Sequence, residues 1–243
     1  MEKSIYRFIS FETFVDLILR EKLCLVHPSL WEDPKELEVY NKACNEDIIT
    51  RDAIGLLQYK TYAQSWTEVS ESDAMWRIYS YNKMSIRIHS SIEFFNSING
   101  LDIRKVIYTG DIDNAISKFK EERDFLQLLA IKRKFFEHEK EIRIIHRYKY
   151  KDEGDIQRHL EAFWLLNDKN FFNSKYQDEI MLKKYKELIN IDIDKKTYEI
   201  PVDIFAMIKD VMLNPFAPSW FEKTVELFCR QYGITFLGKS TIY

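Results

Sequence analysis

The stretch EHEKEIRIIH, from Glu137 to His146, largely decides how the chain can fold. Its second half alternates polar and apolar residues, which is typical of a strand with one buried face. In a strand, Glu139 and Glu141 would lie on the same face as Arg143, because side chains alternate between the two faces. The sequence therefore predicts a buried strand that begins with carboxylates. The same charges would also suit the solvated end of a helix, and this is the alternative interpretation.

Short strands and helices are predicted on both sides of this stretch. A serine before each of two amphipathic runs predicts N-caps at Ser10 and Ser219, since serine accepts a hydrogen bond from the first helical turn. Strands are predicted at Ser4–Ile9, Leu23–His27, Lys60–Trp66, Met84–His89, 103–109 and along the closing residues, and a long charged helix from Asp113 to about His138. This order lacks the regular β-α alternation of a doubly wound fold, so the sequence predicts an α+β protein with a mostly antiparallel, strongly twisted sheet and flanking helices.

The 243 residues contain no internal repeat and no glycine- or serine-rich linker, which predicts a single domain over residues 1–243. Residues 151–195 are polar, helical in pattern and poor in β-branched residues, and we expect them to form a helical insertion. No window approaches eighteen apolar residues and the first residues lack an apolar signal core, so the expectation is a cytoplasmic protein without a membrane contact.

Composition excludes several kinds of functional site. The formal net charge is −3, which argues against a surface coated with positive charge, although a local basic stripe remains open. The chain has no glycine-rich phosphate loop, no H-E-x-x-H motif and no G-x-S-x-G motif. Cys24, Cys44 and Cys229 are odd in number and widely spaced, which favours neither a disulfide framework nor a zinc site. No metal is therefore expected.

Two short stretches besides the opening one carry candidate site residues. Arg7 alternates with Tyr6 and Phe8 on the first predicted strand, and its guanidinium could hold a phosphate through two hydrogen bonds. Ser65 and Thr67 share a face of a later strand, where small hydroxyls can orient neighbouring polar groups. The competing interpretations are an exposed arginine on an edge strand and an ordinary half-buried strand end.

A carboxylate at the start of a strand can bind a ribose hydroxyl and stabilise the positive charge that develops on C1′ when a glycosidic bond breaks. Glu139 and Glu141 are the candidates for this role. Nearby, the aromatic side chains of Trp76 and Tyr79 in MWRIYSYN could stack on a ligand ring, although residues at this helical spacing more often pack in a core.

Several of these stretches together resemble a large bacterial family built on a domain of unknown function. The resemblance spans about residues 3–145 and rests on five motifs, in chain order: Tyr6-Arg7-Phe8, Trp31-Glu32-Asp33-Pro34-Lys35-Glu36, Ser65, Met75-Trp76-Arg77-Ile78-Tyr79 and Glu139-Lys140-Glu141-Ile142-Arg143. Each motif alone is weak, and it is their combination and order that carry the resemblance.

The order of an arginine, a serine and an E-x-E pair also resembles the R-S-E layout of ADP-ribosyltransferases. This resemblance implies a split antiparallel sheet that clasps NAD as a substrate. Arg7 would contact a phosphate or ribose of NAD, Ser65 would orient the catalytic Glu141, and Glu139 would select or activate the acceptor. Tyr6, Trp76 and Tyr79 would contribute to the cofactor site. The serine run departs from the usual S-T-S pattern, because Trp66 stands in its middle.

The sequence says less about the acceptor, the molecule that would receive ADP-ribose. The stretch IHRYKYK interleaves basic and aromatic residues, including Arg147, Tyr148 and Lys149, a pattern that suits single-stranded nucleic acid. A solvated strand end would look the same. With the resemblance, the sequence favours an enzyme that modifies nucleic acid or protein, such as a toxin or phage-defence effector that an antitoxin partners. The alternatives are a non-catalytic nucleic-acid- or protein-binding module on the same fold and, with less support, a glycosidase or nuclease that uses paired carboxylates.

Overall fold

The computed structural model describes residues 2–31, 33, 35–36, 42, 61–80, 82–122, 125–147, 154 and 196–243. The insertion predicted at 151–195 lies outside these residues except for Gly154, so the structure does not test it. Within the described ranges, no helix combines the length and the apolar character that a membrane span requires.

The described chain alternates short strands with short helices. Its strands are β1 (Ser4–Ser10), β2 (Lys22–Val26), β3 (Thr61–Thr67), β4 (Ser85–Ser91), β5 (Leu101–Lys105), β6 (Ile107–Thr109), β7 (Ile131–Arg133), β8 (Glu141–Arg147), β9 (Thr197–Pro201), β10 (Asp210–Leu213) and β11 (Phe236–Lys239). Its α-helices are α1 (Phe11–Arg20), α2 (Asp73–Ile78), α3 (Ile92–Asn96), α4 (Ile112–Glu122), α5 (Ile204–Met207) and α6 (Ser219–Gln231). Short 3-10 helices occupy Pro28–Leu30, Phe125–Ala130 and Lys134–Glu139.

Most of these strands join one sheet. Its main path runs β11-β10-β4-β1-β3-β2-β9, and β8 adds to β3 with β5 beyond it. The pairs in this sheet are antiparallel except for β10 with β11, and β6 and β7 form a separate parallel pair. The α+β class and the mostly antiparallel sheet are therefore confirmed.

The strand predicted from the opening stretch is present from Glu141 onward. β8 pairs with β3 along its whole length, with Thr67 opposite Glu141 and Ser65 opposite Arg143. On its other edge β8 pairs with β5. The side chains of Ile142 and Ile144 are buried, as the alternating pattern requires.

The second edge of β3 is shared between two strands. β1 bridges to it at Tyr6 and Thr67, whereas β2 bridges to it at Val26 and Ala63. No described strand pairs with this edge across residues 64–66, so the sheet has a gap there. Backbone groups at such a gap are open to solvent or to a ligand.

Helices α1 and α6 cover one face of the sheet. Ser10 caps α1 as predicted, because its side chain accepts a hydrogen bond from the backbone N–H of Thr13. Phe14 of α1 and Phe221 of α6 are buried in the same apolar cluster as Ile5 of β1. Since side chains alternate along β1, Tyr6 and Phe8 point to the opposite face.

The long charged helix predicted from Asp113 to about His138 is wrong. Helix α4 ends at Glu122, and a buried 3-10 helix, β7 and a second 3-10 helix follow it. The reason is the largely apolar run 126–131, which packs around Ala63 and Ile145 on a strand face and is buried on too many sides for a surface helix. The predicted cap at Ser219 is also displaced by one residue, since Pro218 occupies the cap position of α6.

Candidate functional site

Arg7, Ser65 and Glu141 line one cavity at the gap in the sheet. The cavity has a volume of about 180 Å³ and is lined by Tyr6, Arg7, Phe8, Ser65, Trp66, Thr67, Met75, Tyr79, Glu139 and Glu141. These residues come from β1, β3 and β8 and from the segments on either side of them, so the cavity forms only when distant parts of the chain meet.

Ser65 lies at the centre of this arrangement. It is the one exposed residue of β3, whose other six residues are buried. Its hydroxyl donates a hydrogen bond to the carboxylate of Glu141. The structure thus joins a serine and a glutamate that are 76 positions apart in the sequence.

Glu141 is 4% exposed and is held by two cations. The Nε of Arg143 donates to its carboxylate at 2.8 Å, and the ammonium of Lys132 lies 3.3 Å away. Burial alone would raise the pKa of Glu141, but Arg143, Lys132 and the Ser65 hydroxyl outweigh it and hold the pKa at about 2. The backbone N–H of Glu141 donates to the hydroxyl of Tyr108 at 2.8 Å. The carboxylate is therefore ionised and fixed in position at neutral pH.

Lys132 binds three carboxylates at once. Its ammonium lies 3.2 Å from Glu36, 2.7 Å from Glu139 and 3.3 Å from Glu141. Burial would lower the pKa of Lys132, but these carboxylates raise it above its usual range. Arg143 also pairs with Glu36. Three carboxylates and two cations leave the cluster with one net negative charge.

Arg7 differs from the other buried cations because it is unpaired. Among the residues that the structure describes, no carboxylate lies within ion-pair distance of its guanidinium, although the side chain is half-buried. Burial lowers the pKa of Arg7 to about 10, and the nearby Cys24 on β2 offsets this only in part. A guanidinium without an ionic partner attracts an anion.

The sequence predicts that Glu139 and Glu141 share one face of a strand, and this prediction is wrong. Glu139 ends the 3-10 helix, and Lys140 then takes a left-handed conformation with φ of 41°. The hydroxyl of Thr67 donates to the backbone oxygen of Glu139 at 2.5 Å and fixes this turn to β3. Both residues still line the cavity, and both carboxylates bind Lys132. The turn at Lys140, and not strand alternation, brings them together.

Tyr6 lines the cavity, and its ring packs against side chains of β4. Its ring stacks on His89 with centroids 4.7 Å apart, and the guanidinium of Arg87 lies 5.0 Å from its centroid. Asp210 of β10 binds both partners, at 2.8 Å to Arg87 and 2.6 Å to His89. His89 also contacts the hydroxyl of Ser4 at 3.0 Å. This network holds the Tyr6 ring in a defined orientation.

The two other predicted aromatic residues have different positions. Tyr79 is 41% exposed at the cavity wall, and partial burial together with the Glu139 carboxylate raises its pKa. Trp76 is 2% exposed and packs edge-on against Phe8 with centroids 4.7 Å apart. The structure does not bring Trp76 to the cavity wall, and its position matches the alternative interpretation of core packing.

A second cavity of about 300 Å³ adjoins the first. It is lined by Leu30, Trp31, Asp33, Glu36, Ser65, Lys132, Phe136, Glu141 and Arg143. Ser65 and Glu141 therefore form a wall that both cavities share. The motif that contains Trp31, Asp33 and Glu36 thus contributes to this site, although no functional role was predicted for this motif from the sequence.

The predicted nucleic-acid residues are described only in part. Arg147 ends β8, while Tyr148 and Lys149 lie outside the described residues. Sequence reasoning missed the central role of Lys132, whose run IKRKFF looks like a solvated basic patch. It also missed His89 and Asp210, for which the sequence holds no local signal. In the described part of the chain, no cluster of His, Cys, Asp and Glu side chains is arranged to bind a metal ion.

Comparisons with known protein families, curated proteins and solved structures find no match to this chain. The site therefore has to be interpreted from its own geometry and charges.

Proposed function

We propose that this protein is an ADP-ribosyltransferase-like enzyme that uses NAD as its substrate. One observation carries the proposal: Arg7, which has no ion pair among the described residues, lines the same cavity as the hydrogen-bonded Ser65–Glu141 pair. An unpaired cation suits a diphosphate, and a fixed, ionised carboxylate suits a ribose that becomes positively charged. The NAD substrate combines these two features in one molecule.

The geometry supports a division of roles among these residues. Arg7 would bind the diphosphate, and Glu141 would accept a hydrogen bond from the nicotinamide ribose. When the bond between C1′ and the nicotinamide nitrogen breaks, its electron pair leaves with nicotinamide and C1′ becomes positive. The net negative charge of the Lys132 cluster would stabilise this state. The Ser65 hydroxyl would keep the Glu141 carboxylate oriented.

Nicotinamide release from NAD by the purified protein tests the proposal directly. We expect the wild type to release nicotinamide and the Ser65→Ala variant to lose at least about tenfold in rate, since one oriented hydrogen bond to a charged group contributes ~1.5–3 kcal/mol. Ser90→Ala, on strand β4 and outside the cavity lining, is the matched control and should keep the wild-type rate. If the wild type neither binds NAD nor releases nicotinamide, with or without cell extract as acceptor, the proposal is wrong.

A non-catalytic binding module on the same fold is the second candidate. It is favoured by the burial of Glu141 and its two cation partners, because a structural ion cluster has the same features. Such a module would bind nucleic acid with an affinity that falls steeply with salt and does not depend on Ser65. Measuring strand binding and nicotinamide release on the same variants separates the two functions.

The proposal extends to a cytoplasmic toxin or phage-defence effector that an antitoxin restrains. NAD consumption or modification of an essential macromolecule would stop growth. We expect expression of the wild type to arrest growth and Ser65→Ala to relieve it, with equal protein levels verified by immunoblot. Normal growth at high levels of folded wild-type protein would contradict this part of the proposal.

A further inference from the structure

The second cavity gives another approach to the reacting carbon. Ser65 and Glu141 belong to both cavity walls. If the ribose of NAD rests against Glu141 in the first cavity, nicotinamide leaves from one side of C1′. A nucleophile attacks most easily from the other side, and the second cavity opens onto the same carboxylate. It is therefore the place for the acceptor.

The charges in the second cavity restrict what the acceptor can be. Lys132 and Arg143 pair with Glu36 and Glu141, and Asp33 pairs with Arg133 at 3.0 Å. An arginine or lysine acceptor would need a free carboxylate, and a phosphate or carboxylate acceptor would need a free cation. Because the charged side chains of this wall already have partners, the cavity favours a neutral group.

Two aromatic rings give the second cavity flat walls. The guanidinium of Arg143 lies 4.2 Å from the ring centroid of Trp31, and the ammonium of Lys132 lies 4.7 Å from that of Phe136. These contacts hold the rings in place. Phe135 and Lys134, which precede Phe136 in the chain, are exposed, Phe135 to 85%. Flat rings, with exposed basic and aromatic residues beside Phe136 in the chain, suit an unpaired base and the strand that carries it.

We propose that the second cavity binds the acceptor, and that the acceptor is a neutral base of a single-stranded nucleic acid. The inference rests on the proposed function. A nitrogen of the base would form the new bond to C1′ as the bond from C1′ to nicotinamide breaks. Nicotinamide takes the electron pair of the broken bond, and the proton lost by the base nitrogen passes to water.

The test uses the full chain, NAD, and three probes: a single-stranded oligonucleotide, its duplex and an arginine-rich peptide. Transfer of ADP-ribose is measured by mass spectrometry, strand binding by anisotropy without NAD, and nicotinamide release in parallel. We expect transfer to the single strand and little to the duplex or peptide. Phe135→Ala should lower the ratio of transfer to nicotinamide release by about tenfold, the usual effect of losing one stacking ring. Phe205→Ala removes a ring that is 67% exposed on α5 and should leave this ratio unchanged.

The possible failures are distinct. Modification of the peptide and not of the strand would overturn the inference and leave the proposed function standing. Nicotinamide release without binding or modification of any strand would do the same. An unchanged ratio of transfer to nicotinamide release in Phe135→Ala would contradict the inference that the acceptor strand binds at this cavity. Absence of NAD binding and cleavage would refute the proposed function and, with it, the acceptor role of the second cavity.

Discussion

Arg7 has a partly buried charge with no ion pair among the described residues. Such a charge lowers the stability of the fold but is available to bind an anionic ligand. Burying an unpaired charge costs free energy, which lowers its pKa to about 10. Such a residue contributes little to the fold unless a ligand supplies the missing anion. The position is therefore better suited than any ion-paired residue to test binding without disturbing the structure.

We predict that Arg7→Met keeps or slightly raises the free energy of unfolding, within about 1 kcal/mol, because methionine removes the unpaired charge and keeps the apolar stem. The same variant should bind NAD at least about tenfold more weakly, since it loses a charged hydrogen-bond donor. Urea unfolding and calorimetric titration measure the two effects. Arg230→Met removes an exposed guanidinium paired with Glu226 and should change neither. A strongly destabilised Arg7→Met would show that the guanidinium has a structural partner.

Glu141 shows the opposite behaviour, because its charge stabilises two buried cations. Its pKa of about 2 in the folded protein lies below its ordinary value of 4.5. A carboxylate with a lowered pKa adds stability that is complete above its unfolded pKa and is lost as the pH falls through the folded pKa. The contribution should therefore decline between pH 4.5 and about pH 2.

We predict that Glu141→Gln lowers the free energy of unfolding by about 3 kcal/mol at pH 7, because Arg143 and Lys132 lose a buried partner. The difference from wild type should shrink as the pH falls from 4.5 to 2, as followed by urea unfolding. Glu226→Gln breaks an exposed pair on α6 and should cost less than about 0.5 kcal/mol at either pH. A pH-independent difference would mean that Glu141 is not ionised in the wild type. This cost also makes Ser65→Ala the cleaner variant for activity.

At the level of single elements, the sequence predicts what depends on local pattern. Alternation identifies β3 and most of β8, and the serine before α1 identifies its cap. The turn at Lys140 was not predictable, because lysine rarely takes a left-handed conformation and nothing near it marks a turn. Lys132 looks solvated in the run IKRKFF, but the pairing of β7 with β6 brings it beside three carboxylates. Its burial depends on contacts that local sequence does not contain.

The left-handed turn at Lys140 should matter through its backbone and not through its charge. We predict that Lys140→Gly and Lys140→Asn keep stability within about 1 kcal/mol, since both residues tolerate positive φ. Lys140→Val should cost about 1–2 kcal/mol more, because a β-branched residue is strained there, and should also slow nicotinamide release by shifting Glu139 relative to Glu141. Thermal unfolding and rate measurements compare the three variants. Equal behaviour of valine and asparagine at this position would contradict the argument.

At the scale of the whole molecule, the site lies among inner strands of the large sheet. β1, β3 and β8 are inner strands with neighbours on both edges, and β1 also carries Ile5 into the cluster beneath α1 and α6. The gap between β1 and β2 could not be inferred from the sequence, because it depends on how far each strand pairs along β3. The cavity is thus part of the central architecture and not of a surface loop.

A ligand in this cavity should therefore stabilise the entire described sheet. We predict that ADP-ribose, which has the diphosphate but lacks nicotinamide, raises the free energy of unfolding by ~2.7 kcal/mol when present at a hundredfold excess over its dissociation constant. Amide hydrogen exchange should slow in α6, whose side chains do not line the cavity, because opening of α6 requires the shared core to unfold. Arg7→Met should remove this protection at the same ligand concentration. Protection confined to β1, β3 and β8 would show instead that the strands around the cavity open independently of the helical layer.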